Sequence, residues 1–186
     1  MDSSIKESSR AANAMEAVAT ATTNNANLMQ TLLHKQMRAY VVIDSGTATY
    51  QDKNNVFAAN VLLKNSGYTP ARKISYCITA GIIRAPELPD DFIFSSPETN
   101  RVSDVTLSPR QEFTIHGYVD RLEDEDAVSI LKGDGRRLWV WGTVRYEDIF
   151  GDIWHTNFCF HYLFYTGQEG DVRFNSYYYL RHNDAT

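Results

Sequence analysis

The stretch that decides the fold reads LWVWGTVRYE at 138–147, DIFGD at 148–152 and IWHTNFCFHYLFY at 153–165. Two runs rich in Val, Trp, Phe and Tyr flank residues of turn chemistry, the pattern of a β-hairpin. Side chains alternate across a strand, so pairing Tyr146 with Trp154 sorts the hairpin into two faces. One face carries Leu138, Val140, Gly142, Val144 and Tyr146 beside Trp154, Thr156, Phe158, Phe160 and Tyr162. The other carries Trp139, Trp141, Thr143 and Arg145 beside His155, Asn157, Cys159 and His161. A one-residue slip would instead mate the two tryptophans with Phe158 and Phe160. The first register is preferred because it separates apolar from polar side chains.

Outward from the hairpin the same grammar repeats. Short runs at 39–43, 56–64, 73–83, 105–107, 112–119 and 172–180 are β-branched or aromatic and bounded by Gly, Pro, Asn, Asp or Ser. The Asp44-Ser45-Gly46 triplet reads as a turn ending the first of them. Pro86, Pro89 and Pro97 mark a long irregular crossing, with a short strand expected at Phe92–Phe94. Residues 122–132 turn helical: Glu123, Asp124, Glu125 and Asp126 lead, Lys132 trails and Gly133 stops. That acidic group lacks the spacing and central glycine of a calcium loop. About seven strands with turns between them predict a mainly β chain, an antiparallel β-sandwich.

The first 45 residues contain no Gly and no Pro, and a long helix is expected over about 11–37, with residues 1–10 frayed. Ala11, Met15, Val18, Thr22, Asn25, Met29, Leu32 and Gln36 follow a heptad seam in which Thr22, Asn25 and Gln36 are polar. Two alternatives stand: a solvated or docked single helix, and a stalk that self-associates or meets a partner. The expected division is a helical stalk at 1–37 and a sandwich domain at 38–186.

Composition narrows the function classes. The chain has 186 residues and a net charge of -5. Residues 1–38 sum to +1, leaving −6 on the rest, which argues against a nucleic-acid backbone as partner. Aromatic residues are 12% of the chain, suiting a thin β core with tyrosines left at the surface. Cys77 and Cys159 allow one bridge or two free thiols. No secretory signal and no apolar run near ~20 residues is present, so a soluble chain is expected.

His155, Asn157, Cys159 and His161 suggest a metal site, but His155 and His161 would lie ~20 Å apart along a strand. Only Cys159 and His161 could bite together, unless His116 or Asp152 joined them, and two ligands do not complete a zinc site. No oxyanion hole or orienting acid supports a Cys–His nucleophile. No cofactor and no catalytic residue is therefore assigned. Trp139 and Trp141, with Arg145, His155 and His161 on the same face, have the composition of an interaction surface. The competing reading is that the Tyr177-Tyr178-Tyr179 segment or the N-terminal helix covers the tryptophans.

Three segments carry a resemblance. Asn65-Ser66-Gly67-Tyr68-Thr69-Pro70-Ala71 resembles a turn of bacterial immunoglobulin-like sandwich modules, and Leu107-Ser108-Pro109 is similar to their proline-marked step before a later strand. Tyr146–Gly151 with Thr156, Phe158 and Cys159 resembles small uncharacterised bacterial envelope-associated proteins. Those join a membrane segment to a helical stalk, an Arg-Ala-Tyr start (here Arg38-Ala39-Tyr40) and an immunoglobulin-like sandwich. This sequence has no membrane segment before its stalk; in a longer form the resemblance implies membrane association. It implies no activity. The leading expectation is a non-enzymatic binding or scaffold module with a protein partner, cytoplasmic or on the cytoplasmic face of a bacterial inner membrane. The alternative is a phage or virion assembly or decoration component that oligomerises through residues 11–37. A metal-binding or hydrolytic enzyme ranks third.

Overall fold

A computed structural model describes residues 2–51, 56–84, 92–93, 102–119, 122–133, 135–166, 172–180 and 183–185. The chain divides after Arg38 into two compact units. The first is α1 (Asp2–Met37), which starts well before the expected residue 11. Thr20, Thr22, Thr23 and Thr31 each donate their hydroxyl to the carbonyl four residues back, so these hydroxyls are bonded within the helix itself. No helix among the described residues is long and apolar enough to cross a membrane.

The second unit is mainly β. Its elements are β1 (Val41–Gln51), β2 (Val56–Asn65), β3 (Ala71–Arg84), β4 (Val102–Leu107), β5 (Glu112–Val119), α2 (Asp124–Leu131), β6 (Arg136–Glu147), β7 (Ile153–Thr166), β8 (Val172–Tyr178) and β9 (Asp184–Ala185). One sheet has the order β1-β2-β5; the other runs β4-β3-β6-β7-β8, with β9 also pairing β7. Every pairing is antiparallel. The inner faces meet in one core: Phe57, Ala59, Val61 and Leu63 of β2 against Leu138, Val140, Val144, Phe158, Phe160 and Tyr162. This is the expected β-sandwich, preceded by a long helix and carrying a short one inside 122–132.

Three local readings change. The first strand does not stop at Asp44-Ser45-Gly46 but continues to Gln51 through a bulge between Ile43 and Ser45. Gly46 is needed for close approach rather than for a turn: a Cβ there would lie 2.6 Å from the Tyr162 hydroxyl and 2.8 Å from the Phe160 ring. Nine strands are seen among the described residues against about seven expected, the short β9 being the one with no counterpart in the sequence reading. The Ser108-Pro109 step separates β4 from β5 as expected. It carries the chain from β4 in one sheet to β5 in the other. Phe92 and Ile93 are not in a strand; Phe94 and the three prolines lie outside the described residues.

Two buried side chains hold the connections. Asn65 Nδ2 donates to the Thr69 and Leu107 carbonyls, while its Oδ1 accepts from the Tyr40 and Gly67 N–H groups. All four of its hydrogen-bonding positions are thus used on backbone. Asp148 does the same for the hairpin loop, accepting from Phe150 N, Asp152 N and Trp154 Nε1.

Candidate functional site

The hairpin takes the register in which Tyr146 faces Trp154, Trp139 faces His161 and Arg145 faces His155. On its inner face, hydroxyls reach across to the free edge of β1. Tyr146 donates to the Ala39 carbonyl just before β1, Thr156 to Val41 and Tyr162 to Thr47; Tyr178 of β8 donates to Ile43. Carbonyls left unpaired at a sheet edge are satisfied by the opposite sheet, so this seam is closed.

The outer face differs. Trp139 is 0% exposed, so the expected presentation of this side chain at the surface is not what the structure has. Tyr179 packs edge-on against it at 5.1 Å and His161 lies 4.8 Å away. The covering segment is held by Asn183, whose carboxamide bonds both the N–H and the carbonyl of Cys159 and also the Tyr179 carbonyl. Asn183 thereby stands in for strand backbone in the gap between β8 and β9. Trp141 is partly covered, with Phe92 edge-on at 5.3 Å. Arg145 and His155 are half-buried at the far end of the hairpin, about 13 Å along the strand from Trp141. The five predicted residues share a face but do not form one site.

Cys77 and Cys159 are both free and buried. Cys77 faces Thr143, and Cys159 faces Trp141 from the next strand over, so two inter-strand spacings, about 9.6 Å, separate β3 from β7. A disulfide cannot span that. Burial pushes the Cys159 thiol up to about 12, keeping it protonated and poorly nucleophilic. Among the described residues no three His, Cys, Asp or Glu side chains are placed to hold a metal.

Beside Trp139 the face opens into a cleft of about 390 Å³. Arg137 of β6, His161 and Leu163 of β7, and residues 177–180 line it. Tyr177 stacks on His161, with ring centroids 5.6 Å apart and planes at 21°. The Arg137 guanidinium lies 3.0 Å from His161 Nε2. A guanidinium can only donate, so Nε2 accepts and the neutral ring carries its proton on Nδ1. Burial first, and the charge of Arg137 second, lower the pKa of His161 to about 4. Among the described residues two buried donors here have no acceptor, His161 Nδ1 and Trp139 Nε1.

Arg137, Tyr177, Tyr179 and Asn183 matter here beyond the predicted set. The alternation Arg137, Trp139, Trp141 marks the first of them, since all three share one face. The final aromatic run marked the tyrosines as a cover; nothing local marked Asn183. Comparison of the chain with protein-family models, curated proteins and solved structures returned no match.

Proposed function

We propose that this protein is a non-catalytic binding module, a β-sandwich carried behind a helical stalk, whose ligand site is the cleft at Arg137 and His161. The observation that carries it is an arginine with no carboxylate partner among the described residues, set in a cleft walled by aromatic rings. The chemistry beside it favours binding over catalysis. His161 Nε2 is occupied by the guanidinium and cannot take a proton near neutral pH, and the Cys159 thiol stays protonated.

The stalk role extends the resemblance to envelope-associated proteins. It is supported by a seam whose polar positions weaken helix pairing. A second reading, assembly through α1, is favoured by Met15, Val18, Met29 and Leu32, all exposed along the helix. Sedimentation of the full chain separates the two: a monomer at high concentration rejects assembly through the helix.

The binding reading is tested by amide NMR of the full chain against fragments of positive, zero and negative charge. Saturable shifts confined to β6, β7 and β8 are expected from at least one class. No shift there from any fragment would contradict the reading.

A further inference from the structure

The chemistry of the cleft narrows what it holds. Arg137 has five N–H donors and gives one to His161, which leaves most of the fork available. The other cations with described partners are spent: Lys64 on Asp44 and Glu112, Lys73 on Glu147, and Arg136 on Asp126. Arg137 is also the one charged side chain that lines the cleft among the described residues. A single fixed cation on an acidic domain matches a single negative charge. A nucleotide or polyphosphate would bring several against it.

Shape and size complete the specification. The stacked His161–Tyr177 pair gives the cleft flat apolar wall, and Tyr179 adds a second ring. Tyr177 is 45% exposed, aromatic surface that a ligand could cover. The volume, about 390 Å³, falls in the range of small-molecule sites, roughly 300–1,000 Å³, and is too small for a folded partner.

We infer that the cleft binds a small flat aromatic monocarboxylate, its charge on the Arg137 fork and its ring against Tyr177 and Tyr179. The inference deepens the binding-module reading and rests on it.

Calorimetric titration of the full chain with 2-naphthoate, neutral 2-naphthamide and acetate tests it, alongside amide NMR. Naphthoate is expected to bind at least tenfold more tightly than either other probe. Arg137→Gln should remove that advantage, bringing naphthoate down to the affinity of naphthamide. Arg137→Lys, which keeps the charge but not the planar fork, should recover only part of it. Arg137 is half-buried outside the core, and an unchanged circular dichroism spectrum confirms that each variant is folded. Equal binding of naphthoate and naphthamide, insensitive to Arg137→Gln, would overturn the carboxylate assignment and leave the binding reading standing. Silence from all three probes, with unshifted β6–β8 amides, overturns the carboxylate assignment. If the wider fragment set is silent there too, the binding reading also falls.

Discussion

The two faces of the β6–β7 hairpin come from alternating residues of the same strands, yet one is closed and the other open. On the inner face, Tyr146, Thr156 and Tyr162 each donate a hydroxyl to a carbonyl of the β1 segment, and the rings between them fill the core. On the outer face, among the described residues, Trp139 Nε1 and His161 Nδ1 are buried without acceptors and Arg137 has no counter-ion. An orphaned buried donor costs about 1–3 kcal/mol. The fold satisfies one face fully and leaves these polar groups unmatched on the other.

The comparison breaks most sharply at Gly142. A Cβ there would fall on the Cys77 carbonyl oxygen and against the Phe158 ring. Gly142→Ala should cost about 3 kcal/mol or more, read as a lower urea midpoint. A near-neutral result would mean that the sandwich is looser than described. Next comes Thr156→Val, which keeps the shape but leaves the Val41 carbonyl unpaired. A loss of about 1–3 kcal/mol in the same titration is expected; no loss would show that the seam is not a closed network.

The outer face should respond to pH instead. His161 is held below its ordinary value of 6.5, at about 4, so the unfolded chain binds the extra proton first. Its contribution is therefore complete above about pH 6.5 and is lost as pH falls toward 4. Discounted for partial exposure, it amounts to roughly 1–2 kcal/mol. His161→Gln should flatten the stability profile in that window, and an unchanged slope would locate the effect elsewhere. The smallest expected effect is that of Arg137→Gln on stability, within about 0.5 kcal/mol, because the residue is not part of the core. A loss as large as that of Thr156→Val would make Arg137 a structural residue.

The hairpin register was legible because fourteen-residue β7 and its partner alternate strongly enough that only one pairing separates the two faces. The β1 bulge was not. Asp44-Ser45-Gly46 has turn chemistry, and the reason for Gly46 lies in Phe160 and Tyr162, more than a hundred residues away. The same holds for the cleft. His161 was read onto the outer face and Tyr179 was weighed as a cover for Trp139, but Arg137 precedes the strand as read from Leu138. Their meeting as a cleft depends on where β8 ends and on the Asn183 carboxamide that pins it to Cys159. Periodicity reports which face a side chain occupies, not which distant segment stops beside it.

The outer face's chemistry is read most directly from the side-chain nitrogens of His161, followed by long-range ¹H–¹⁵N NMR at neutral pH while 2-naphthoate is added. The expected result is a neutral ring protonated at Nδ1, with the Nδ1 and Trp139 Nε1 signals moving saturably with naphthoate and not with naphthamide. A ring protonated at Nε2, or one titrating near its ordinary value of 6.5 with neither signal moving, would contradict the open face and the site built on it.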